Sequence, residues 1–90
     1  MTREELIELA GDDELLFADG FDEAILGIGA RCGQPQLVVY SHARCIDILL
    51  KRGVTTVDEA EEYFEFNVAG AWMGDRTPLF LYDAEAVISR

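Results

Sequence analysis

Ninety residues, half of them hydrophobic and 28% charged, suffice for one compact domain spanning 1–90 and are too few for two. A formal net charge of −11 repels a phosphate backbone within a Debye length and argues against direct nucleic-acid binding. No apolar run approaches the roughly 18 residues of a membrane span, and Glu4, Glu5 and Glu8 stand where a secretory leader needs bases, so the expected compartment is the cytoplasm.

Thr2-Arg3-Glu4-Glu5 has capping-box spacing and opens a short helix whose apolar stripe is Leu6, Leu9 and Ala10, widened by Ile7 and ended by Gly11. Leu15 to Ala18, bounded by acids and by Asp19-Gly20, suits an edge strand and a turn. Alternate glycines at 27 and 29 disfavour a helix over 24–32 and favour a strand. Gly33-Gln34-Pro35-Gln36 supplies the turn into Leu37-Val38-Val39-Tyr40, the clearest β segment, so 24–40 reads as a hairpin.

Ser41 is placed to cap a helix over about 43–52, with Ala43, Ile46, Leu49 and Leu50 on one face and Lys51 and Arg52 at the end that favours cations. Thr56-Val57-Asp58-Glu59 repeats the capping-box spacing. Ala60, Tyr63, Phe64 and Asn67 then line one face of a second helix, about 57–69, with the acids outside it. Thr77-Pro78 opens a short strand from Leu79 to Tyr82, and Asp83 is a cap for a last helical turn. The expected architecture is α+β: a small antiparallel sheet of the hairpin plus edge strands, with two main helices packed on one face.

Asp19-Gly20-Phe21-Asp22-Glu23-Ala24-Ile25-Leu26-Gly27, Cys32-Gly33-Gln34-Pro35, Val39-Tyr40 and Cys45-Ile46-Asp47-Ile48-Leu49, followed by Glu59 to Trp72, Gly74 and Thr77-Pro78-Leu79-Phe80-Leu81, together resemble a group of small acidic proteins of tailed bacteriophages and prophages. The likeness covers about residues 14 to 82. It implies a phage or prophage origin and a cytoplasmic host setting, and it supplies no catalytic residues.

The chemical constellations are thin. Gly27 to Gly33 superficially resembles a phosphate-cradling loop, but the third glycine is one residue late and a Pro-containing turn follows in place of a helix. His42 and Cys45, with Cys32, form a weak metal set without paired ligand spacing. The cysteines are too far apart for a CxxC motif and are expected reduced and at least partly buried. Cys45 three residues from His42 does not by itself aim a thiol at an imidazole, and Asp19, Asp22 and Glu23 read as turn chemistry. No catalytic residue, cofactor or metal is expected.

Charge is uneven. Residues 1–23 hold nine acids and one base, 54–66 five acids and no base, and 24–53 four bases and one acid. Phe66 is turned around the helical wheel toward Glu59 and Glu62, and Trp72 follows close in sequence. Glu59, Glu62, Phe66 and Trp72 are therefore the candidate partner-binding residues, for a host or phage protein with a basic surface. A homo-oligomeric accessory protein and a small-ligand (nucleotide-like) binder are the alternatives, the latter needing a pocket lined by Arg31 or Arg44.

Overall fold

A computed structural model describes residues 2–12, 14–70 and 74–82. The chain forms α1 (Arg3–Ala10), a single 3-10 turn (Asp22–Ala24), β1 (Ile25–Gly29), β2 (Leu37–Ser41), α2 (His42–Lys51), α3 (Val57–Phe64), a π-helical turn (Glu65–Ala69) and β3 (Leu79–Leu81). The α+β class and the division into hairpin and two main helices hold. The site residue Trp72 and the helical turn capped by Asp83 lie outside the described residues.

Local chemistry accounts for the helix starts. The Thr2 hydroxyl accepts from the Glu5 amide while the Glu5 carboxylate accepts from the Thr2 amide, completing the box. Ser41 accepts from the Arg44 amide and Thr56 from the Glu59 amide. The Glu59 carboxylate accepts from the hydroxyl of Thr55 at 3.0 Å.

The sheet is mixed. β1 and β2 pair antiparallel, with a bulge between Ile25 and Gly27, whereas β3 lies parallel to β2, Leu79 opposite Val39 and Phe80 opposite Tyr40. A purely antiparallel sheet is thus corrected. The chain leaves β2, traverses two helices and re-enters beside β2 in the same direction, as helical crossovers do. Nor is Leu15 to Ala18 an edge strand: it runs unpaired past the sheet, with Leu15 buried and the Ala18 amide donating to the Tyr40 hydroxyl at 2.7 Å. A side chain satisfies that amide where a strand neighbour otherwise would.

The period of two in β2 sends Val38 and Tyr40 into the core and leaves Leu37 and Val39 on the opposite face. The core side gathers Leu6, Leu15, Phe21, Ala24, Ile25, Cys45, Ile46, Leu49, Ala60 and Phe64 around those two residues. Phe80 lies 5.6 Å, ring to ring, from Tyr40 and meets Phe64 edge-on at 4.9 Å. The edge-on geometry is one the aromatic quadrupole favours.

Two stripes are narrower than their spacing suggests. Leu9 is 66% exposed, because the core-facing arc of α1 runs from Leu6 through Ala10 to Ile7 and residue i+3 falls about 60° to the other side. Tyr63 stands in the same relation to Ala60 and Phe64 and is 48% exposed. Asn67 is also exposed. A π turn advances fewer degrees per residue than an α turn, and over 65–69 it returns Val68, rather than Asn67, to the core side.

The Asp19-Gly20 turn is fixed by Arg52, whose guanidinium donates to the Gly20 carbonyl and lies 5.2 Å from the Phe21 ring centroid. Gly20 has φ +89°, a conformation that L side chains rarely adopt, so the turn favours glycine.

Candidate protein-interaction face

α3 is built so that one side is committed to the core and the other is exposed. Ala60 and Phe64 are fully buried. On the outer side Glu59, Glu62, Tyr63, Phe66 and Asn67 together line a shallow open depression. The spacing from 59 to 62, 63 and 66 is that of one helical face. Phe66 is 76% exposed, the most exposed large hydrophobic residue among those described, and Val57 at the start of the helix is 47% exposed. The Asn67 amide nitrogen donates to the Tyr63 carbonyl at 3.3 Å, which holds its polar head beside the aromatic pair.

Electrostatics distinguish this face from four acids of the N-terminal segment, Asp12, Glu14, Asp19 and Asp22. There, Arg3 pairs with Asp22 at 2.9 Å and Asp19 at 3.2 Å, and Arg76 pairs with Asp12 at 2.6 Å and approaches Glu14 at 3.6 Å. The Arg76 guanidinium holds the Asp12 carboxyl below its ordinary value. Those acids serve the fold. Among the described residues no cation lies within ion-pair distance of Glu59 or Glu62, so the two carboxylates beside Phe66 remain in water and open to a foreign cation.

Glu59, Glu62 and Phe66 thus come together as the sequence suggested, and Tyr63 and Asn67 join them. The sequence reading assigned both of these to the buried face. The i, i+3, i+4, i+7 series beginning at Glu59 carries the signal that places Tyr63 with Phe66.

The remaining constellation is divided by the sheet. His42 follows the last residue of β2, whereas Cys32 lies in the β1–β2 connection at the other end of that strand, roughly 13 Å away along it. The His42 Nε2 is 2.8 Å from a Glu61 carboxylate oxygen, and its ring stacks on Tyr82 at 4.0 Å and meets Phe64 edge-on at 5.0 Å. Cys45 is buried, and desolvation pushes its thiol up to about 12, far from the thiolate that nucleophilic chemistry needs. Cys32, expected at least partly buried, is exposed. Among the described residues no group of three or more His, Cys, Asp or Glu could hold a metal ion, and no helix is long and apolar enough to cross a membrane.

No family model, curated protein or solved structure matches the chain. The geometry of the α3 face itself therefore carries the functional reading. An exposed phenyl ring beside a phenol, rimmed by unpaired carboxylates, offers a cation two kinds of contact at once: carboxylate hydrogen bonds, and the negative faces of two aromatic rings.

Proposed function

We propose that the protein is a non-enzymatic accessory protein that uses the outer face of α3 to engage a basic surface on another protein. The observation that carries this is the exposure of Phe66, at 76%, inside a depression shared with Glu59, Glu62 and Tyr63. A lone exposed aromatic is ordinary on a small domain. One that shares its depression with a second ring and two carboxylates that have no cation partner among the described residues has the make-up of an interaction centre with a charged rim. On the resemblance of residues 14 to 82 to small phage and prophage proteins, the proposed partner is a host or phage protein, met in the cytoplasm of the host cell.

The test is comparative capture from a bacterial lysate, with the wild-type protein, a Glu59→Lys/Glu62→Lys variant and a Phe66→Ala variant run side by side at low and high salt. A partner with a basic surface is expected to be retained by the wild type at low salt and released as salt screens the rim. The charge reversal is expected to abolish capture, and loss of the Phe66 ring to weaken it about 30-fold, as for an interface anchor of about 2 kcal/mol. Capture that ignores all three substitutions contradicts the reading.

A further inference from the structure

The sheet has a second face, turned away from the core, and a cleft of about 450 Å³ lies at one end of it. Its floor is Leu37 and Val39 of β2 and Leu79 of β3, with Pro35 at the turn. The floor is flat on the β1 side because Gly29 carries no side chain; a Cβ there would come within 2.9 Å of the Val39 Cγ2 methyl. Arg31 stands in the connection that follows β1, and Asp75 in the turn that precedes β3. Strand order β1-β2-β3 therefore sets a guanidinium at one lip and a carboxylate at the other, with apolar side chains between.

Among the described residues no carboxylate lies within ion-pair distance of Arg31 and no cation within ion-pair distance of Asp75. The outer strands are two strand spacings apart, roughly 9 to 10 Å. We propose that this cleft binds a small rod-shaped zwitterion: an apolar body lying over Leu37, Val39 and Leu79, with an anionic group at the Arg31 end and an ammonium group at the Asp75 end. The volume is that of a small-molecule site, which spans about 300 to 1,000 Å³.

Charge decides among ligand classes. A molecule with only a carboxylate is drawn to Arg31 and repelled at Asp75, and a simple amine meets the reverse. An α-amino acid carries both charges on one carbon and cannot span the strands. A bipolar body satisfies both lips, and a guanidinium takes a carboxylate through two parallel hydrogen bonds. The acids elsewhere on the chain act on the anionic end through water and salt, which screen them beyond about 8 Å. The site is on the sheet and owes nothing to the α3 face.

Titration of the full chain by calorimetry and by amide chemical shifts tests this, with 4-(aminomethyl)phenylacetate as the bipolar probe and phenylacetate and benzylamine as its halves. The expected result is saturable one-to-one binding of the bipolar probe, about tenfold tighter than either half, with shifts over 29–39 and 75–79. Arg31→Gln is expected to reduce its affinity to that of benzylamine, and Asp75→Asn to that of phenylacetate. Arg31 and Asp75 are both exposed, and retention of the wild-type spectrum shows that the variants fold. Absence of saturation below about 10 mM, equal binding of the three probes, indifference to both substitutions, or shifts confined to other segments overturns the proposal.

Discussion

Phe64→Ala is expected to lower the unfolding free energy by about 3 to 5 kcal/mol, whereas Phe66→Ala, two residues on, leaves it within about 0.5 kcal/mol. Phe64 is fully buried and touches two rings edge-on, His42 at 5.0 Å and Phe80 at 4.9 Å. Its removal opens a cavity where α2, α3 and β3 meet, in a domain whose total stability is expected near the lower end of the usual 5 to 15 kcal/mol. Phe66 is 76% exposed and gives up little on truncation. Urea unfolding at constant slope measures both. A Phe66→Ala loss comparable to that of Phe64→Ala would mean that the ring is covered, and the recognition face would lose its centre.

The second large effect is a loss of stability in base. Burial raises the Cys45 thiol from its ordinary 9.0 to about 12, so the folded state keeps the proton that the unfolded chain releases. Below pH 9 both states are protonated and the contribution is present in full. As pH rises from 9 to 12 the unfolded state ionises and the folded state does not, and stability falls by about 1.4 kcal/mol per pH unit, on the order of 4 kcal/mol across the window. The Tyr40 hydroxyl is raised in the same direction by burial and steepens the fall above its ordinary value of 10.0.

Cys45→Ala removes one buried heavy atom and is expected to cost about 1 kcal/mol at neutral pH. Because it also removes the titrating group, the variant and wild-type stabilities are expected to cross as pH rises through this range, the variant becoming the more stable. Denaturant midpoints from pH 7 to 11 decide this; parallel curves for the two proteins contradict the burial of the thiol.

What the sequence disclosed, and what it withheld, follow from the range of the interactions involved. Thr2, Ser41 and Thr56 act on amides three residues away, and the alternation through Val38 and Tyr40 is equally local, so the hairpin and the helix starts were legible. The direction of β3 was not, because nothing in Leu79-Phe80-Leu81 records that two helices intervene before it returns beside β2. Leu15 to Ala18 has strand-like composition, yet the hydroxyl of Tyr40, 22 residues after Ala18, takes the amide that a neighbouring strand needs.

The candidate face was partly legible for the same reason. Phe66 lies outside the Ala60 and Phe64 arc by helical geometry alone, and the wheel assigned it correctly to the side of Glu59 and Glu62. Tyr63 and Asn67 were drawn to the buried face by simple i+3 and i+7 counting. The narrow core arc excludes the first, and the π turn over 65–69, advancing fewer degrees per residue, leaves the second short of it. Such a turn inserts one residue into the helical repeat, and its placement depends on how Val68 docks. Pairing of the N-terminal acids by Arg3 and Arg76 was also invisible, since the partners of Arg76 lie more than 60 residues upstream. Without that knowledge all the acidic blocks look equivalent; with it, Asp12, Glu14, Asp19 and Asp22 are assigned to the fold, and Glu59 and Glu62 are distinguished by the exposed aromatic pair beside them.

The most direct measurement is photo-crosslinking in bacterial cells from a benzoylphenylalanine placed at position 66, with the same group at Lys51 on α2 as control. The account predicts a discrete adduct to a different, basic protein from position 66 alone, lost when Glu59 and Glu62 are changed to lysine. No adduct from position 66, or an adduct with only a second copy of this chain, would contradict it.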